Sequence, residues 1–182
     1  ALLRVIKYAL STENYGLKIK PSKKEGFYME GISDSEYAGD KDSRISVYGY
    51  ILYFCGVPIA WKSKAGKSVT LSSTEAEYVA SSEIAKEAIF VKNILDSMGI
   101  KINLPIHIRV DNVGAIYLAS NYATSQRTKH IDIRAHFLRE YIENRVLKVV
   151  FVRSEDNDAD ILTKNTLEEL FHSHWKKNME EI

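Results

Sequence analysis

Four acidic residues carry the chemistry this sequence suggests. Asp34 follows a strand-like run at 27–33, Asp111 ends another at 106–110, Glu75 stands at a helix start, and Asp160 sits in an apolar helical frame. Packed together, four carboxylates repel one another and cannot all ionise without countercharge. Mg²⁺ supplies such charge, because it takes hard oxygen ligands and keeps waters and substrate phosphate oxygens in its shell. Two such ions ~4 Å apart would activate a water and stabilise the leaving oxygen of a phosphodiester. The chain holds 24 Asp and Glu, however, and position alone slightly favours four unrelated surface acids. Glu75 also has a plain structural reading: with Ser72 three residues earlier it completes a capping box at the positive end of a helix. Glu77, two residues on, reads as a solvated helix residue.

The elements that must position these acids follow from composition and periodicity. Residues 1–10 suit a short helix stopped near Gly16, and 16–20 a short strand before the lysine-rich loop 21–26. Runs at 27–33, 45–54 and 59–64 are dense in β-branched and aromatic residues, and their short connections predict an antiparallel meander. An apolar-periodic run from Val79 to Leu95 predicts a helix at about 73–97, ended near Gly99. A strand at 106–110, helices at 112–120 and 129–144, and a strand at 147–152 come next. A helix opened by 155–158 and a helical tail at 166–182 complete the chain. The order β-β-β-α-β-α-α-β-α predicts an α/β fold: a five-stranded mixed sheet, three antiparallel strands then two further strands, flanked by helices. Acids at strand ends and helix starts can converge at one edge of such a sheet.

A chain of 182 residues suffices for one domain with a sizeable core. Residues 1–24 read as the tail of a preceding domain and 25–182 as the domain proper, and the missing initiator Met suggests a piece of a longer chain. No run reaches transmembrane length and no signal-peptide pattern opens the chain, so no membrane partner is expected. The single Cys55 excludes an internal disulfide and fits an intracellular compartment. A net charge of +1 leaves any nucleic-acid surface to local patches.

Six blocks in order then resemble the ribonuclease H domain of copia-type LTR retrotransposon polyproteins. They are Ser33-Asp-Ser-Glu-Tyr-Ala-Gly-Asp40, Trp61-Lys-Ser-Lys64, Leu71-Ser-Ser-Thr-Glu-Ala-Glu-Tyr78, Val110-Asp-Asn112, Arg127-Thr-Lys-His-Ile-Asp-Ile-Arg134 and Asp158-Ala-Asp-Ile-Leu-Thr-Lys164. Arg4-Val-Ile-Lys-Tyr8 and Tyr15-Gly-Leu-Lys18 resemble the connection after the reverse transcriptase in such polyproteins.

The resemblance implies a ribonuclease H fold and hydrolysis of the RNA strand of an RNA–DNA hybrid, in the cytoplasm within retrotransposon particles, with a reverse transcriptase covalently linked upstream. It implies Asp34, Glu75, Asp111 and Asp160 as catalytic metal ligands for two Mg²⁺, with Mn²⁺ as a substitute; Asp156 and Asp158 compete with Asp160 by proximity. Lys164, on the same helical face as Asp160, reads as structural or phosphate-facing. Hybrids display 2′-hydroxyls in a wide, shallow minor groove, and Ser35, Ser72, Ser73 and Asn112 are the small polar candidates to meet them. Capping or turn duty explains the same residues, for Ser72 at least as well. Lys62, Lys64 and Lys67, with Trp61, would track the DNA strand's phosphates, or else form a solvated lysine edge beside a core Trp. Arg127, His130 and Asp132 are further helix-start or substrate-facing candidates. Cellular ribonucleases H carry a histidine in the loop before the last helix and a basic helical extension; here 153–157 contains no His, and 121–129 leaves no room for the extension. A catalytically silent scaffold or nucleic-acid-binding domain, and a DNA-directed relative of the same fold, are the competing classes. Host and oligomeric state are not encoded in these residues.

Overall fold

The computed structural model describes residues 2–22, 26–39, 42–67, 69–120 and 132–182. The meander expected from sequence is there: β2 (Phe27–Glu36), β3 (Val47–Phe54) and β4 (Val57–Ala65) pair antiparallel in turn. β5 (Ile102–Val110) and β6 (Leu147–Phe151) add two parallel strands, giving one mixed sheet in the order β4-β3-β2-β5-β6. Parallel neighbours need crossovers. They are supplied by α2 (Ser73–Ser97) before β5 and by α3 (Val113–Ser120) with α4 (Asp132–Glu143) before β6.

The main core lies between the sheet and these helices. Met29, Leu52, Ile84, Ile106, Ile108, Leu138 and Leu147 are almost completely buried in it. On the opposite sheet face Ile32 and Ile51 pack against Ala159 and Leu162, at the short α5 (Asp160–Thr163). α2 opens with the capping box: Ser72 Oγ accepts from the backbone N–H of Glu75 at 3.1 Å, and the Glu75 carboxylate accepts from the N–H of Leu71 at 2.7 Å.

The two ends of the chain meet, which the sequence does not announce. α1 (Leu2–Ser11) and β1 (Tyr15–Leu17) lie against α6 (Glu168–Asn178) and β7 (Met179–Glu181). β1 and β7 form a two-stranded antiparallel sheet, Trp175 Nε1 donates to the Tyr8 hydroxyl at 2.9 Å, and the Tyr15 and Trp175 rings stand 4.8 Å apart. The expected helical tail at 166–182 therefore ends at Asn178 and turns into strand. β2 also runs beyond Ser33 to Glu36, so Asp34 lies inside a strand rather than after one, and β5 starts at Ile102 rather than Ile106.

Candidate active site

The site forms where β2 and β5 part. Their parallel ladder ends at Ile32 and Arg109, so β2 beyond that point has β3 on one side and no strand on the other. Backbone groups exposed by that parting must find partners elsewhere. Side chains from two helical segments provide them. The Ser35 N–H donates to Glu77 Oε1 at 2.8 Å, and Asn157 Nδ2 donates to the Ser33 carbonyl at 3.1 Å.

Two glycines let those segments approach. At Gly31 an added Cβ would collide with the Ile84 side chain, so its absence lets α2 lie close on β2. At Gly49, the cross-strand partner of Asp34, an added Cβ would stand 2.7 Å from Thr163 Cγ2, so α5 seats directly on β3. The sheet end is thereby clamped from both faces, with Glu77 arriving from one side and Asp160 from the other.

Asp34, Glu77 and Asp111 come together, each offering a carboxylate oxygen within 4.8 Å of the others. Asp34 is fully buried, and Glu77 is only 4% exposed. Ser35 Oγ donates to Glu77 Oε1 at 2.7 Å, while Glu77 Oε2 is buried with no hydrogen-bond partner among the described residues. Burial first, then the neighbouring Asp34 and Asp111 charges, push the Glu77 carboxyl up to about 8 against the opposing pull of Ser35. Asp111 Oδ2 accepts from Ser154 Oγ at 2.9 Å.

Asp160 joins through Lys164, whose ammonium lies 2.8 Å from Asp34 Oδ1 and 3.0 Å from Asp160 Oδ1. Thr163 Oγ1 also donates to Asp34. Burial and the Asp34 charge raise the Asp160 carboxyl to about 6, with Lys164 acting the other way. The same carboxylates hold the Lys164 ammonium above its ordinary range, despite a desolvation that lowers it.

Of the four acids expected from sequence, the structure brings Asp34 and Asp111 together with Glu77, and sets Asp160 beside Asp34. Glu75 requires a correction: its carboxylate turns back to cap Leu71, and the acid reaching Asp34 and Asp111 is Glu77. Glu77 is accordingly buried rather than solvated. One signal was present. Glu77, Ser81, Ile84 and Ala88 fall on one helical stripe, and all four are buried.

Asp158 is occupied elsewhere, accepting from Lys177 Nζ at 2.7 Å and lying 2.6 Å from Nδ1 of the buried His174. Ser72 caps α2, and Asn112 Oδ1 accepts from the Ala115 N–H at 2.9 Å to cap α3, so both do the bland work the sequence allowed. Ser73 begins α2 in an exposed position. Trp61 is 57% exposed, which removes the core-Trp reading. Its cross-strand partner is Ile51, on the α5 face, whereas Lys62 and Lys64 partner Tyr50 and Tyr48 on the α2 face. Arg127 and His130 lie outside the described residues, and Asp132 begins α4.

No family model matches the chain. Its fold is that of the ribonucleases H: the structure aligns with that of LC11 ribonuclease H1 in complex with an RNA/DNA hybrid at a TM-score of 0.53 and 15% identity, over 78% of this chain and 97% of that one. The sequence goes further. It is 41% identical over 164 residues to the retrovirus-related Pol polyprotein from transposon RE1 of Arabidopsis thaliana, covering 90% of this chain and 11% of that protein. It is 42% identical over 136 residues to that from transposon TNT 1-94 of Nicotiana tabacum, covering 75% and 10%. These relatives are copia-type retrotransposon Pol polyproteins, and the chain spans about a tenth of their length. Among the described residues no helix is long and apolar enough to cross a membrane.

Proposed function

We propose that the chain is a metal-dependent endonuclease that hydrolyses the RNA strand of RNA–DNA hybrids during reverse transcription of a retrotransposon. The observation that carries this reading is the convergence of Asp34, Glu77 and Asp111 at the parting of β2 and β5. The ribonuclease H fold and the Pol relatives support it.

The residues fit divalent cations. Three hard carboxylates face one another, and the buried, unpartnered Glu77 Oε2 is a group that costs free energy until a cation or donor meets it. Asp34, Glu77 and Asp111 would hold two Mg²⁺, with Mn²⁺ as a substitute and Asp160 as the fourth acid. When bound, such ions activate a water for attack on phosphorus and stabilise the leaving oxygen.

The chain's own part is orientation and charge balance. Ser35 fixes the rotamer of Glu77, Thr163 that of Asp34 and Ser154 that of Asp111. Lys164 offsets the negative charge of Asp34 and Asp160 and so lets both sit at the sheet end. The covalently linked reverse transcriptase upstream and the cytoplasmic retrotransposon particle belong to the same reading.

Cleavage of a hybrid labelled on each strand, with Mg²⁺ and with Mn²⁺, tests it. The wild type should cut only the RNA strand, only with metal, and Asp111→Asn should not cut. A wild type that remains inert, even with its polymerase attached, sinks the hydrolase reading and leaves a nucleic-acid-binding scaffold.

A further inference from the structure

The carboxylates at the sheet end fall into two unlike halves that share Asp34. In one, Asp34 meets Glu77 and Asp111. The donors to Glu77 and Asp111 are uncharged, from Ser35 and Ser154, and no described cation pairs with either acid. Glu77 Oε2 is buried there without a partner among the described residues. In the other half the chain supplies a cation of its own: the Lys164 ammonium stands 2.8 Å from Asp34 Oδ1 and 3.0 Å from Asp160 Oδ1.

That placement is set by the backbone. Lys164 caps α5 directly after Thr163, and its N–H donates to the Asp160 carbonyl at 2.9 Å, so one short turn delivers both ammonium and carboxylate. Thr163 donates to Asp34, and Gly49, where a Cβ would collide with Leu162 and Thr163, lets the turn seat on the sheet. The Lys164 side chain itself keeps a way out. It is 35% exposed, against 0% for Asp34 and 8% for Asp160, so it can withdraw toward solvent while the carboxylates stay.

Mg²⁺ needs its carboxylate oxygens at ~2.0–2.1 Å. An ammonium held by the same oxygens fills that place and repels the ion, whereas no described like charge touches Glu77 or Asp111. Resting on the hydrolase reading above, we propose that Lys164 is a resident cation, which a divalent ion must displace from between Asp34 and Asp160. Two ions then bind in order: the first at Asp34, Glu77 and Asp111, the second, more weakly, at Asp34 and Asp160. The weaker affinity sets the cation concentration at which both are in place.

Calorimetric titration of the full chain with Mn²⁺ and with Mg²⁺, without nucleic acid, tests this. The wild type should show a tighter and a weaker site. Lys164→Gln should tighten the weaker site by about tenfold or more, because apparent affinity scales with the competent fraction and a minor arrangement holds roughly 0.1–10% of molecules. The tighter site should move much less. Lys164→Arg keeps the charge and should keep the separation. Lys164→Gln should also melt below the wild type without cation and recover at saturating Mn²⁺. One reading needs no uncharged variant: in NMR spectra of the wild type's side-chain ammonium groups, the signal that Lys164→Arg removes should shift with the second equivalent of Mg²⁺ and not the first. Unchanged affinities in Lys164→Gln, a weaker site loosened by it, or an equal loss of Tm with and without Mn²⁺ overturns the resident cation alone. So does a Lys164 signal that moves with the first ion. Ordered binding with displacement of Lys164, but no cleavage of a hybrid by the wild type, overturns the hydrolase reading alone. No cation bound by any of the three proteins overturns both.

Discussion

Asp158 and Asp160 are two residues apart and meet opposite fates. Asp158 is surrounded by donors: His174 and Lys177 from α6, and the Tyr53 hydroxyl at 3.4 Å. Asp160 lies instead beside Asp34, the member it shares with the cluster of Asp34, Glu77 and Asp111, and Lys164 is the one described ammonium in contact with these acids. A carboxylate with matched donors is a structural joint, and this one ties the C-terminal helix to the sheet. Carboxylates crowded beyond their countercharge destabilise the fold around them. Their arrangement makes physical sense when a cation completes it.

The sharpest way to break that contrast is to neutralise each side in turn. Asp34→Asn and Glu77→Gln should each lower kcat by about 10³-fold or more, roughly 4 kcal/mol of lost transition-state stabilisation. Without metal the same variants should melt higher than the wild type, Asp34→Asn because it removes repulsion and Glu77→Gln because it spares the proton uptake that the buried carboxyl requires on folding. The pH dependence carries a definite sign. Glu77 titrates near 8 in the metal-free fold, above the ordinary glutamate range. Between those values the folded chain holds a proton that the unfolded chain has released, so metal-free stability falls as pH rises from about 4.5 to 8. Glu77→Gln should flatten that decline in a melting series. A decline as steep as the wild type's would mean that the Glu77 carboxyl is not the group responsible.

Asp158→Ala should act in the reverse sense. It leaves the buried His174 and its neighbour Lys177 without their shared acceptor. The cost should be about 1–3 kcal/mol, at roughly 2–4 °C of Tm for each, while kcat is retained. If Asp158→Ala instead abolished cleavage at full stability, the division between joint and site would be wrong.

How much of this was legible in the sequence differs by element. The five sheet strands and α2 announce themselves by β-branched runs and apolar periodicity, and Asp34 and Asp111 by their places in and beyond strands. β1 is announced in part, since the short strand expected at 16–20 overlaps Tyr15–Leu17. β7 is not: Met179-Glu-Glu181 has no strand composition, and it becomes a strand because the packing of Tyr8 and Tyr15 on Phe171 and Trp175 brings it beside β1. Asp160 was separable from Asp158 by sequence only through the family motif, because the deciding partners, His174 and Lys164, sit at distances no local pattern encodes.

The choice between Glu75 and Glu77 failed for a different reason. The capping box gave Glu75 a complete local explanation, and in the structure its carboxylate makes that cap. Its carboxylate accepts from Leu71, and none of the described acids of the cluster contacts it. Two residues further on, α2 has turned through more than half a revolution, which carries Glu77 to the sheet-facing side. Glu75→Ala should therefore cost about 0.5–1 kcal/mol of stability through the lost cap and leave kcat close to wild type. A large loss of kcat in Glu75→Ala, with Glu77→Gln still active, would return the catalytic role to the first glutamate and require α2 to sit about half a turn away from where it does here.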